Sequence, residues 1–208
     1  YVNYDNKQRQ PEDRHSLLID AGASYNGYAS DITRTYAYHD GMFAELLSAF
    51  DEMQQALVLK NVVGQRYVDN EVNALLRVAK LLQDFGVLNL SPESALETGV
   101  VCSFMLHNLG HFLGLQVHDV GWQLRDKSGA IVDPDPRYPY LREYLRKNRK
   151  IEPNHVITVE PGIYFNDIPL KKLFSSEHKN TVNWDKVEQL KPYGGMRIED
   201  NILIKQDG

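Results

Sequence analysis

A chain of 208 residues with 42% hydrophobic content is long enough to bury one substantial core, which favours one domain and excludes a natively disordered chain. The net charge of −5 gives no overall basic field, so nucleic acid and anionic membranes are not expected as partners, and a ligand should be sought in a pocket. The one cysteine, Cys102 in the apolar run VVCSF, cannot form an internal disulfide; with no run of about 18 apolar residues and no charged-then-apolar leader, a cytoplasmic protein is expected.

The chain opens without an initiator methionine on YVNYDNKQRQPEDRH, a polar stretch that suits an incoming strand and a hairpin loop. SLLIDAGA and GYASDITRTYAY follow as apolar or β-branched runs broken by glycine, the pattern of strands and tight turns. Residues 42–60 and 68–85 repeat apolar positions at three and four, which predicts two amphipathic helices. Ser91-Pro92-Glu93-Ser94 has the composition of a helix start, with proline in the first turn. HNLGHFLGLQVHD comes next. Residues 123–154 are rich in Pro, Asp, Arg and Lys and are expected to form an excursion with a short basic helix in LREYLRKNRK. VITVEPGIYF and GMRIEDNILI complete the strands, and the last one stops almost at once in KQDG. Both ends predict that residues 1–208 form one domain taken from a longer protein.

The chemistry gathers at the strands. Asp20 ends SLLID before Ala-Gly-Ala, and Asp31 lies in ASDITRT. Acidic residues are depleted in such runs and costly when buried unpaired. An exposed strand face or an ion pair with Arg34 accounts for either alone. His107, His111 and His118 cluster in HNLGHFLGLQVHD, interleaved with Gly110 and Gly114, which allow close backbone approach. A single histidine there would suit a hydrogen-bonded core residue; three are harder to place so. No H-E-x-x-H helix is present. Glu160 ends VITVE before Pro161-Gly162, and Glu199 lies in GGMRIED. Four carboxylates and one imidazole suit a pair of divalent ions, whose charge of +4 the carboxylates balance. Without metal they would raise one another's pKa values. Oxygen-rich ligation favours Mn2+, with Co2+ or Zn2+ compatible.

DAGASYNGYASDITRTY, HNLGHFLGLQVHDVG, VITVEPGIYF and YGGMRIEDNILI, in this order and spacing, resemble the bacterial prolidases, Xaa-Pro dipeptidases of the pita-bread metallopeptidase family. The resemblance covers nearly the whole chain. It implies an α/β (α+β) fold with two pseudo-symmetric halves around a curved, mainly antiparallel sheet flanked by helices. It further implies that Asp20 chelates one metal, that His111 and Glu160 bind the other, and that Asp31 and Glu199 bridge them. His107 then polarises the scissile carbonyl or stabilises the oxyanion, His118 binds substrate, Arg197 orients Glu199 or the substrate, and Thr33 hydrogen-bonds a metal carboxylate. For Arg197 a strand-edge ion pair is the plainer alternative.

Dipeptide specificity requires capture of a free C-terminal carboxylate, which a bidentate arginine does best. In the family an arginine ahead of the VEPG strand has this part, and a gapless count back from Glu160 selects Arg146, with Arg142 the second choice. For most of the basic run a solvated helix face is the simpler reading. The implied reaction is hydrolysis of Xaa-Pro dipeptides by a metal-bridging hydroxide, with Glu160 accepting and returning the proton. An aminopeptidase P-like or methionine aminopeptidase-like enzyme shares the five ligands, and a fold relative acting as a binding module is the alternative outside catalysis. A small peptide is the expected partner, and a homodimer is compatible. Two departures stand out: Leu106-His107-Asn108 replaces the usual Pro-His-Gly, and a further substrate-binding histidine and a preceding domain of the relatives are not within these residues.

Overall fold

The computed structural model describes residues 14–132 and 148–206. Strands β1 (Ser16–Ala21) and β4 (Ile32–Ala37) pair antiparallel from Ser16↔Ala37 to Ala21↔Ile32. Between them, β2 (Ser24–Tyr25) and β3 (Tyr28–Ala29) form a small hairpin. Its turn is Asn26-Gly27 with φ of 50° and 85°, the positive pair that matches the twist of two strands joined by a two-residue loop.

Helices α1 (Met42–Val58) and α2 (Tyr67–Asp84) fall where the apolar periodicity predicts. Phe43, Leu46, Phe50, Met53 and Leu57 place one stripe of α1 in the core. Burial on α2 is wider and includes the carboxylate-bearing Glu71, 1% exposed. Helix α3 (Pro92–Glu97) starts as its sequence predicts: Ser91 Oγ accepts from the Ser94 backbone N–H at 3.2 Å, and Pro92 occupies the first turn.

Strands β5 (Val156–Val159) and β8 (Asp200–Leu203) pair antiparallel, as do β6 (Gly162–Tyr164) and β7 (Gly195–Arg197). The segment between β6 and β7, to which the sequence pattern assigns no element, carries two short helices, α4 (Asp167–Phe174) and α5 (Trp184–Leu190). Asn166 and Asn183 cap them by accepting backbone N–H groups. Of the predicted basic helix in LREYLRKNRK, residues 141–147, with Arg142 and Arg146, lie outside the described residues, while residues 148–150 are not helical and end in a bridge between Lys150 and Arg66.

Two single bridges join these ladders. Glu199 N donates to Thr33 O at 3.0 Å, tying β4 to the β7–β8 strand, and Phe112 pairs with Ile157, laying the histidine segment along β5. The antiparallel order is therefore β1, β4, β7–β8, β5–β6, then residues around 112. This is an α+β pita-bread arrangement, with α1 packed against β4 and β5.

Candidate metal centre

Each acidic candidate sits where a ladder ends or breaks. Asp20 is the penultimate residue of β1; Asp31 precedes β4, Glu160 follows β5, and Glu199 falls between β7 and β8. The registers Val159↔Asp200 and Gly162↔Arg197 leave Glu160 and Glu199 in one shared interruption of the paired strands. Glu160 N instead donates to Leu109 O at 2.7 Å, which anchors it to the histidine segment.

That segment approaches β5 more closely than side chains would permit. A Cβ on Gly110 would lie 2.0 Å from Thr158 O, and one on Gly114 would lie 2.1 Å from Asp119 Oδ2. Glycine is therefore required at Gly110, where the neighbour is β5 backbone, whereas at Gly114 the neighbour is the end of a side chain that can turn away. His111 N donates to Thr158 Oγ1 at 2.9 Å and Thr158 N donates to His111 O at 2.9 Å, holding the imidazole over the end of β5.

Six side chains converge. One ligand atom each from Asp20, Asp31 and Glu199 lie within 4.8 Å of one another, as do those of His111, Glu160 and Glu199, and those of Asp31, His111 and His118. The first two sets share Glu199, and Asp31 belongs to the first and third. His118, predicted to bind substrate, thus also comes within ligand reach of the centre; its ring lies 4.2 Å from that of His111.

The donor set fits cations. His111 Nδ1 lies 2.9 Å from Phe112 O, a pure acceptor, so Nδ1 carries the proton and, in the neutral ring, Nε2 presents a lone pair. That lone pair faces Asp31 Oδ2 at 3.5 Å and Glu160 Oε1 at 3.3 Å. Three acceptors directed at one another are satisfied by a cation between them. Glu199 Oε1 is buried without a hydrogen-bond partner among the described residues, while its Oε2 accepts from Thr33 Oγ1 at 2.7 Å. Burial, with Asp31 and Asp20 adding repulsion against the opposing Thr33 hydrogen bond and Arg197, pushes the Glu199 carboxyl up to about 7. Burial and then Asp20 likewise raise Asp31.

Around the acids runs a polar chain. Arg197 reaches Asp20 through Nη2 in a short ion pair, Thr33 Oγ1 through Nε at 3.1 Å, and the Tyr164 hydroxyl through Nη1 at 3.1 Å. Tyr164 OH lies 2.7 Å from His107 Nε2, and His107 Nδ1 lies 2.8 Å from Asn108 O. Since a carbonyl only accepts, His107 Nδ1 is the donor, and the neutral ring takes the Tyr164 proton at Nε2.

The sequence reading missed Thr158, whose hydroxyl donates to Glu160 Oε1 at 3.0 Å just as Thr33 donates to Glu199, and it missed Tyr164. The ion pair with Arg34 that would account for either aspartate alone is not formed. Arg34 instead binds Asp200 at 2.6 Å, because it points to the opposite face of β4 from Thr33 and Thr35. Cys102 has no place in the centre, and burial pushes its thiol up to about 12.

Fold and site together define a class of protein with a carboxylate-rich metal centre on an antiparallel sheet. The chain belongs to metallopeptidase family M24, which it matches over residues 1–206. It is 44% identical over 198 residues to the Xaa-Pro dipeptidase of Shewanella woodyi, covering 95% of this chain and 44% of that protein. Identity to Xaa-Pro dipeptidase 2 of Idiomarina loihiensis is 46% over 200 residues, with 95% and 44% covered. This chain thus spans less than half the length of these relatives. Among solved structures, a histidine-to-alanine variant of Escherichia coli aminopeptidase P superposes with a TM-score of 0.65 at 26% identity, covering 92% of this chain and 36% of that one. The zinc-substituted Escherichia coli aminopeptidase P in complex with product gives 0.63 at 27% identity over the same shares.

Proposed function

We propose that this chain forms the metal-binding part of a dipeptidase that hydrolyses Xaa-Pro dipeptides with two divalent ions. The observation that carries this reading is the pair of overlapping ligand sets, Asp20/Asp31/Glu199 and His111/Glu160/Glu199, in which one buried glutamate serves both. Asp31, in ligand reach of both Asp20 and His111, is the second shared carboxylate. Manganese suits this oxygen-rich set, with cobalt or zinc compatible.

When bound, such ions supply Lewis-acid polarisation and acidify water. The chain's own residues do the rest. Glu160, aligned by Thr158 Oγ1, accepts the proton of the attacking water and returns it to the leaving amine. His107, held at Nδ1 by Asn108 O, acts on the scissile carbonyl when the ring is protonated and Nε2–H turns from the Tyr164 hydroxyl to the carbonyl oxygen. Arg197 neutralises Asp20 and holds Thr33, which in turn orients Glu199. His118 and Arg146 secure the substrate's C-terminal carboxylate, Arg146 from outside the described residues.

Substrate length tests this. The full-length protein, loaded with manganese, should cleave Ala-Pro and leave Ala-Pro-Ala intact, since a third residue would occupy the anion site. Amidating Ala-Pro removes one charge-assisted hydrogen-bonded pair, about 1.5 to 3 kcal/mol, and should lower kcat/KM by roughly tenfold or more. Preference for the tripeptide would reassign the protein to an aminopeptidase P-like activity. Failure of the protein to bind divalent ions would remove the two-metal reading altogether.

A further inference from the structure

The shared interruption at Glu160 and Glu199 raises the question of what holds two glutamates from different strands at one separation once the ladder between them is broken. Two backbone carbonyls border the break, Val159 O just before Glu160 and Glu199 O itself. Side chains meet both. Gln54, on α1 and 1% exposed, donates Nε2 to Val159 O at 3.2 Å. Arg34, on β4, donates Nη1 to Glu199 O at 2.7 Å and to Thr33 O at 2.8 Å. Asp200 then joins the two: its Oδ1 accepts from Arg34 Nη2 at 2.6 Å and its Oδ2 accepts from Gln54 Nε2 at 3.0 Å.

We infer that Arg34, Asp200 and Gln54 form a positioning clamp that sets the spacing of Glu160 and Glu199, and through it the affinity for the second metal ion. The clamp spans α1, β4 and β8 and grips the backbone beside Glu199, which both ligand sets share, beside Glu160, which belongs to one of them, and at Thr33, whose hydroxyl holds Glu199. It touches no reacting group. Its geometry needs a planar, forked cation at position 34, because one guanidinium must reach two carbonyls and a carboxylate together. It also fixes the orientation of the Gln54 amide: both of its Nε2 contacts are to acceptors, so the nitrogen must face them. On a buried helix face such an amide is costly unless its contacts matter.

The inference rests on the two-metal reading above, and its test separates the two. Titrate the chelated full-length protein with manganese, following the bound ion by electron paramagnetic resonance, and compare it with Gln54→Leu, Asp200→Asn, Arg34→Lys and Arg34→Gln. In parallel, record the thermal midpoint of each in chelator. The expected result is that the first ion binds as in the parent, while the second binds about tenfold or more weakly, the usual scale for residues that orient ligands. The weakening should appear in Gln54→Leu and Asp200→Asn without a matching fall in the chelated midpoint. Arg34→Lys should not restore affinity relative to Arg34→Gln. Should Gln54→Leu fail to fold, Asp200→Asn, isosteric and at a partly exposed position, carries the same expectation. Parent affinity for both ions in folded variants overturns the clamp, as does a loss that affects both ions equally and follows the chelated midpoint. A parent that binds no second ion overturns the two-metal reading instead.

Discussion

Removing metal should invert the way stability depends on pH. In the metal-free centre the Glu199 carboxyl is pushed from 4.5 up to about 7, first by burial and then by Asp31 and Asp20. A group whose folded pKa is raised contributes stability that is fully present below its unfolded value and is lost as pH rises through the folded value. For Glu199 that window runs from about 4.5 to about 7. At 1.36 kcal/mol per pH unit, a gap of about two and a half units is worth about 3 kcal/mol. Glu199 is 1% exposed, so solvent screening removes little of this. Asp31 is raised as well, by burial and by Asp20, and adds in the same direction. Part of that window lies below pH 5, so about 2.5 kcal/mol is lost between pH 5 and pH 8. At about 2 to 4 °C per kcal/mol for a domain near 200 residues, the chelated protein should melt roughly 5 to 10 °C lower at pH 8 than at pH 5 from Glu199 alone. With metal bound the sign reverses, because ligands must be deprotonated to bind. Scanning calorimetry at unit pH steps, in chelator and in manganese, measures both slopes, and Glu199→Gln should flatten the chelated one. A chelated midpoint that is level or rises from pH 5 to 8, or a slope unchanged in Glu199→Gln, would refute the reasoning.

Three further outcomes follow from the geometry. Asp31→Ala or Glu199→Ala should lower bound metal from two ions to none, whereas Asp20→Ala, confined to one ligand set, should leave one; elemental analysis of the dialysed full-length protein decides this. Gly110→Ala forces a Cβ to within 2.0 Å of Thr158 O, so it should cost about 1 to 3 kcal/mol in denaturant unfolding and displace His111, seen as weaker metal binding. Tyr164→Phe removes the hydroxyl between Arg197 and His107, so kcat should fall roughly tenfold or more while metal content stays at the parent's value, as measured by steady-state kinetics alongside metal analysis.

The helices were legible because their apolar spacing is the physical cause of their burial, and the gathering of the carboxylates because acids in apolar, β-branched strands are unfavourable unless something collects them. Neither signal extends to the residues that orient the acids. Thr158 is a β-branched residue within a β-branched strand and Tyr164 an aromatic one in another, so propensity alone explains each. Gln54 lies beside Gln55 on an amphipathic helix, where two adjacent glutamines resemble a solvated face; only folding shows that one meets the ladder break while the other is exposed and bonds Asp51. Short helices α4 and α5 carry too few turns for periodicity to emerge.

Arg34 shows that some of what was missed was nevertheless present in the sequence. Side chains alternate across a strand, so Asp31, Thr33 and Thr35 share one face of the β4 region and Arg34 takes the other. Antiparallel register then places Asp20 opposite Thr33 and Ile19 opposite Arg34, which assigns Asp20 to the metal face and leaves Arg34 behind it. Period two alone therefore argues against an ion pair between Arg34 and Asp31, and the register extends this to Asp20. The cation that does neutralise Asp20 has to come from another strand, and Arg197 supplies it from β7. Placing the two arginines on opposite sides of the sheet lets one offset charge within the centre while the other grips the backbone from behind, so neither has to enter the space between the ligands where a divalent ion would sit.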